Sequence, residues 1–457
     1  SCLKALSVVK SPEIKIDVMQ GLLDMLQGGG QVVMGGWTAI IDLLATVPKS
    51  MVDNNSNIDN IDDDDQQDGD ENDTWPKESL FIAFSSMKLL VDDFLLFLDE
   101  AMFQEIIVAL SLFGTQNVDV NICLTAIEMS WKVVDFIMNS EEIRDDISIL
   151  IFDSTLNHLL HLARDPRPEI RNCATNTLFS TMVSNVSRLQ MIQWQHAFDD
   201  VIFKLFEQVK NKFHEAMLNN EKAMTPELKK GVKMTVHYSR DTAQKQWSET
   251  TVLALRGLAK IMRTCTRNLV NELWFQSTWK EVLELCVTTI RSPDYVNEVP
   301  LAGIDVIFTM LKIVSSHVYI IKARVGKGTR MVGGVLVDEI TNNNTAEDDN
   351  ILTTSSSNSS EHDDGEARGR EDLWKLAWSA IGEVSCCPSN TTSLALHIIN
   401  NLNELYIGGM DTEFKDSENI RRLFEFVLSS SRSRDAKISE SKMNRVEAMQ
   451  MSRAVSD

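Results

Sequence analysis

A helix-sized phrase is written more than once in this chain. Pro12-Glu13-Ile14-Lys15 leads through Leu22-Leu23 to Trp37 and Ile40-Ile41, and Pro168-Glu169-Ile170-Arg171 leads through Leu178-Phe179 to Trp194 and Phe198. In both, the isoleucine stands eight positions before the apolar pair, and a tryptophan follows about fifteen positions after it. A looser third copy runs from Trp247, Leu255 and Leu258 to Trp279 and Leu283. One such helix pair cannot bury its own apolar face, so self-similarity at this scale predicts units stacked in series.

Apolar spacing near 3.6 residues recurs along the chain, and strand signals are scarce. The fold class expected is therefore all-α, an α-solenoid of HEAT/armadillo-like helical repeats with disordered insertions. Its repeat-defining positions are Pro12, Ile14, Trp37, Pro168, Ile170, Trp194 and Trp279. The tryptophans at 37, 194 and 279 read as apolar plugs that open the second helix of each unit. The spacing predicts helices over 12–27, 34–47, 77–97, 100–113, 119–139, 144–163, 167–183, 191–218, 243–264, 276–290, 294–319, 371–385, 391–407 and 415–430. Asp165-Pro166-Arg167-Pro168-Glu169 reads as a helix start, with Asp165 able to cap and Glu169 beside the positive end of the dipole. Ile170, Cys173, Thr177, Leu178 and Val183 are expected to share the buried stripe of that helix.

The organisation expected is a helical repeat over 1–47, an acidic disordered linker over 48–76, and helical repeats over 77–218. A loop insertion at 219–242 follows, then repeats over 243–321, a low-complexity insertion at 322–370, a terminal repeat at 371–430 and a mostly disordered tail at 431–457. Segments 48–76 and 341–370 are rich in Asp, Asn and Ser. They cannot bury enough apolar area to offset the entropy of ordering them. The chain opens on Ser1, which suggests a piece of something larger, and no signal-peptide pattern or long apolar run appears.

Lys and Arg number 44 against 66 Asp and Glu, a formal charge of -22, so nucleic acid is a poor general partner. Ten of the acids lie between Asp53 and Asp73, and without them the remainder carries -12. The seven cysteines are odd in number and scattered, and Cys123 and Cys173 fall on apolar faces. That pattern suits small buried thiols in a reducing cytoplasm better than a disulfide framework.

Templates for chemistry fail in turn. Counting a calcium loop from Asp64 puts Gly69 at its sixth place but Trp75 at the twelfth, where a bidentate Glu is needed. Gly28-Gly29-Gly30 and Gly326-Lys327-Gly328-Thr329 lack phosphate-loop spacing. His158 and His161 share a predicted helix without further ligands at metal-binding spacing. No catalytic residue, cofactor or metal is expected.

The segments HYSRDTAQKQWSETTVLAL at 237–255, DPRPEIRNCATNTLFSTMVS at 165–184 and QNVDVNICLTAIEMSW at 116–131 resemble the Mon-Two (monensin-sensitivity) family, as does LWKLAW at 373–378. That family is similar to the large Sec-Seven Arf exchange factors but lacks their catalytic domain. The resemblance implies a non-enzymatic scaffold or regulator of endosome-to-Golgi vesicle traffic. It implies a cytoplasmic protein peripheral on Golgi, trans-Golgi network and endosome membranes. Its partners would be a Dopey-like scaffold, an aminophospholipid flippase and Arf-family GTPases. From it, Ser239, Arg240, Asp241, Gln244, Gln246, Trp247 and Glu249 stand out as a partner-docking ridge where a loop enters a helix. The competing reading is that Arg240, Asp241 and Glu249 pair internally to brace the loop. Two other functions fit the array: the downstream regulatory region of an Arf guanine-nucleotide exchange factor, and an importin-type receptor gripping basic cargo.

Overall fold

Each helix between Pro12 and Leu162 touches the helix two ahead of it. That alternation places first helices in one layer and second helices in another. The computed structural model describes residues 11–33, 35–58, 75–141, 143–224, 242–270, 272–295, 298–326, 330–332, 335–337, 360–385 and 392–407. They fall in two compact units, Ser1–Gly257 and Leu258–Asp457.

In the first unit, α1 (Pro12–Gly29), α3 (Lys77–Asp93), α5 (Val120–Asn139) and α7 (Pro168–Ser184) pack in succession. So do α2 (Trp37–Ile58), α4 (Glu100–Thr115) and α6 (Asp145–Leu162), which is followed by a composite helix. That composite comprises α8 (Met191–His196), a π-helical stretch (Ala197–Ile202) and α9 (Phe203–Met224). The unit ends within α10 (Ala243–Leu269). This is the stacked-pair architecture of a solenoid.

In the second unit α11 (Leu273–Arg291) packs on α12 (Glu298–Gly326) and α13 (Ser360–Ser385), and α12 also packs on α14 (Thr392–Ile407). Trp279 is buried there, and its Nε1 donates to the Leu373 carbonyl at 3.1 Å. A short antiparallel hairpin, β1 (Arg330–Val332) and β2 (Val335–Val337), is the one extended element among the described residues.

The π stretch has a cause in the sequence. Trp194, Phe198, Ile202 and Phe206 are all buried, as are Ala197, Val201, Leu205, Val209 and Phe213. Both series step by four, and an ideal α-helix advances about 100° per residue, so each such step drifts by about 40°. The wider turns of the π stretch absorb part of that drift and keep both series inward.

Several boundaries differ from the sequence expectation. Helix α2 runs to Ile58, through Pro48, into the segment expected as linker. Pro48 is itself buried, and Thr46 and Ser50 return their hydroxyls to the carbonyls of Leu43 and Val47 at 2.7 and 2.9 Å. Trp75, near the end of the same segment, is buried. Helix α9 reaches Met224, and α12, the hairpin and α13 enter the stretch expected as a low-complexity insertion. Residues 1–10, 59–74, 225–241, 338–359 and 408–457 lie outside the described residues, and with them the helix expected at 415–430 and the tail.

Two repeat assignments also shift. Ile14 is 49% exposed whereas Ile170 is fully buried. Helix α7 has α5 and α6 packed before it, while no described element precedes α1. On α7 the buried set is Ile170, Arg171, Ala174, Thr175, Leu178, Phe179, Thr181 and Met182, with Cys173, Thr177 and Val183 half-buried. The polar members are tolerated because Thr175 and Thr181 return their hydroxyls to carbonyls one turn back, at 2.7 and 2.8 Å.

Candidate functional site

One network of polar side chains in the first unit gathers along an edge, where the α4–α5 turn, the α6–α7 turn and the start of α10 meet. Buried Gln116 closes the first turn. Its Oε1 accepts from the amides of Val118 and Asp119 at 2.6 and 2.9 Å, and its Nε2 donates to the Asp119 carbonyl at 2.5 Å. Asp119 then caps α5, accepting from the amides of Asn121 and Ile122 at 2.7 and 3.1 Å.

Asp165 does not cap α7; that place belongs to Arg167, whose side chain makes no cap bond. Asp165 instead grips Arg167, accepting from its amide at 2.8 Å, its Nε at 2.9 Å and its Nη2 at 2.8 Å. This fork positions Nη1 to donate across to the Gln116 carbonyl at 2.8 Å, so one guanidinium staples two successive turns. The Asp165 hydrogen bond raises the Arg167 pKa above its ordinary value. Cys123 lies beneath, donating to the Gln116 carbonyl at 3.2 Å, and burial pushes its thiol up to about 11 against the opposing pull of Arg167.

One turn further on, Arg171 is completely buried. Its Nε donates to Thr250 Oγ1 at 2.9 Å, its Nη1 to the Pro166 carbonyl at 2.8 Å, and its guanidinium carbon sits 4.1 Å from the centroid of Trp247. The Thr250 hydroxyl passes the chain on to Asn172 Oδ1 at 2.7 Å. Burial pulls the Arg171 pKa down to about 10, opposed by Asp165, Glu169 and Glu249, so the group stays charged at neutral pH. A buried cation is tolerable only with such partners. The other copy of the phrase repeats the device: Lys15 is buried with its Nζ 5.5 Å from the centroid of Trp75. In each case a cation in the first turn of one first helix rests on a tryptophan just before the start of the next or one turn into it.

Trp247, expected on an exposed ridge, is thus a buried brace. Gln244 and Gln246 are half-buried on the same turns of α10, and the Gln246 carbonyl, 3.2 Å from Thr250 Oγ1, is the alternative acceptor for that one hydroxyl proton. Glu249 is exposed and acts on Arg171 through its charge. Ser239, Arg240 and Asp241 lie outside the described residues. Sequence reading passed over Arg171 and Lys15, although the fourth residue of Pro-Glu-Ile-Lys and Pro-Glu-Ile-Arg is a cation in both copies.

His158 and His161 on α6 have their pKa values lowered, first by burial. Among the described residues no group of three or more His, Cys, Asp or Glu is placed to hold a metal ion. None of the described helices is long and apolar enough to cross a membrane.

Helix pairs stacked through buried tryptophans and pinned at their turns by cations define a helical-repeat protein of the solenoid class. A family model for the C-terminal region of Mon2 protein matches residues 154–397, more than half of the chain, and the chain belongs to the Mon2 family. It is 28% identical over 343 residues to the Protein MON2 homolog of Homo sapiens, a match covering 68% of this chain and 18% of that protein. To the Drosophila melanogaster homolog it is 29% identical over 324 residues, covering 66% and 17%. Protein MON2 of Saccharomyces cerevisiae matches at 23% over 318 residues, covering 60% and 19%. The chain therefore spans less than a fifth of the length of these relatives. Among solved structures, a circular tandem repeat protein with novel repeat topology and enhanced subunit contact surfaces matches at a TM-score of 0.31 and 12% identity, over 97% of this chain and 90% of that one.

Proposed function

We propose that this chain serves as a non-enzymatic scaffold in endosome-to-Golgi traffic, holding other proteins on the outer faces of its helical repeats. Membership of the Mon2 family supports the process. The observation that carries the scaffold reading is the use made of reactive side chains in the first unit. Cys123, Arg167 and Arg171 are engaged in holding turns together, with the thiol pushed up to about 11 by burial. A rigid stack of this kind offers long side-chain surfaces at fixed spacing, which suits the grip of several partners at once.

On this reading the protein sits on the cytoplasmic side of Golgi, trans-Golgi network and endosome membranes as a peripheral component. Its partners are a Dopey-like scaffold, an aminophospholipid flippase and Arf-family GTPases. The test is crosslinking mass spectrometry on the full chain expressed in cells, with crosslinks mapped to numbered helices. Recovery of trafficking proteins at surface positions of α1–α14 is the expected result. A chain that recovers none of them, or that accelerates nucleotide exchange on an Arf GTPase by itself, overturns it.

A further inference from the structure

The α1–α2 and α3–α4 turns are built alike: each contains a 3₁₀ turn, Gly30–Val32 and Leu95–Phe97, and each leaves apolar side chains in solvent. Val32 is 78% exposed, Leu96 79% and Phe97 52%. The base beneath them is rigid. Buried Phe94 lies 5.4 Å from Trp37 and 6.3 Å from Phe97, ring centre to ring centre, and it fills the space beside Gly30, where a Cβ would stand 2.3 Å from its Cζ. Single exposed apolar residues are ordinary, but a group presented on two stacked, close-packed turns marks a contact surface.

The charges around it choose the occupant. Asp92 is engaged by Lys132, and Glu100 by Arg144 at 3.0 Å, so these two cations are already occupied. Asp93 and Asp99 are exposed and have no ion pair among the described residues, and Asp99 makes no side-chain cap bond to α4. A second copy of this chain would set those carboxylates against their own kind, and an anionic lipid surface would meet the same repulsion. A cationic partner gains on both counts.

We propose that the stacked α1–α2 and α3–α4 turns, through Val32, Leu96 and Phe97 with Asp93 and Asp99 at their rim, dock a basic amphipathic segment of another protein. Apolar residues of that segment cover the turns, and its lysines or arginines meet the two carboxylates. The inference deepens the scaffold reading and rests on it for the occupant being a protein.

The experiment titrates the full chain with fluorescent amphipathic helical peptides of about 18 residues, five turns, one of leucine and lysine and one of leucine and glutamate. The lysine peptide should bind and the glutamate peptide should not. Leu96→Ser with Phe97→Ser should weaken binding about tenfold or more, as loss of a central apolar anchor does. Asp93→Lys with Asp99→Lys should weaken it several-fold, and Leu150→Ser, at a residue 55% exposed on α6, should leave it unchanged. All five positions in the variants are exposed, so circular dichroism should show the fold intact. Equal binding of both peptides, or equal loss from the Leu150 variant, overturns the proposal. So does a dimer in light scattering, or flotation with phosphatidylserine vesicles, that the Leu96 and Phe97 changes abolish. If the peptide ignores these turns while the chain still recovers trafficking partners in cells, the patch fails and the scaffold reading stands.

Discussion

The two copies of the proline-led phrase share a buried tryptophan plug and a cation on a second tryptophan, and differ in how that cation is held. At the Pro168 copy, Arg171 has two hydrogen-bond partners and a ring at 4.1 Å, and Arg167 ties the same edge to the preceding turn. At the Pro12 copy, Lys15 rests 5.5 Å from Trp75, Ser11 caps α1 without a side-chain bond, and Ile14 faces solvent. What survives the divergence is the buried charge, which at both copies ties one first helix to the tryptophan of the next. A point charge on a flexible stem and a planar fork do this differently: the fork fixes direction as well as distance.

The largest test strikes what the copies have in common. Trp37 and Trp194 are both buried plugs, and replacing either with alanine should remove about 3–5 kcal/mol of local stability. In a chain of this size the readout is amide hydrogen exchange in the affected helices rather than one global transition. An unchanged exchange rate around Trp194 would place that ring outside the core.

Next comes the contrast itself. Arg171→Ala strands the Pro166 carbonyl, leaves Thr250 with no donor to its oxygen and empties the face of Trp247, and should cost about 3 kcal/mol, read as faster exchange in α7 and the first turns of α10. Lys15→Ala should cost about 1–2 kcal/mol, seen in α1 and α3. Equal effects would erase the distinction between fork and point charge.

Two close approaches give a smaller, matched pair. A Cβ on Gly257 would lie 2.2 Å from Phe179 Cδ2, and one on Gly30 2.3 Å from Phe94 Cζ. Both rings are buried, so Gly257→Ala and Gly30→Ala should each lose about 1–3 kcal/mol despite the better helix propensity of alanine. Raised thermal stability in either variant would show that the ring has room to move.

The mildest test is chemical. With its pKa pushed up to about 11, Cys123 should be alkylated by iodoacetamide at pH 8 more slowly than half-buried Cys173. Arg167→Ala should open the turn and speed the labelling, followed peptide by peptide in a mass spectrometer. Equal rates in the unmodified chain would mean that the network over Cys123 is loose.

The helix pairs were legible because apolar spacing records burial directly. Trp37, Trp194 and Trp279 are all in the core, and the helices expected at 77–97, 100–113, 119–139 and 144–163 have counterparts near those bounds. The edge was harder to read. Trp247 sits in a run of polar residues, and nothing local reveals that Arg171, more than seventy positions earlier, lies over its face. The buried cations were hidden for the same reason, since a Lys or Arg in a first turn reads as solvated unless its distant partner is known. Helix α2 outran its expected end because a proline and an acidic, polar sequence argue for a stop, while burial of Pro48 and local hydroxyl bonds keep the helix going.

The widened turn at Ala197–Ile202 gives this helix a tolerance that its neighbours lack. Losing one residue from an ordinary helix swings everything downstream through about 100° and throws a packed face into water. Here a one-residue deletion within the π stretch can be taken up by tightening it to ordinary α turns. Leu205, Val209 and Phe213 would then still be directed at their neighbours. Among length variants of this repeat, single-codon losses should therefore collect at this stretch and be purged from the helices on either side.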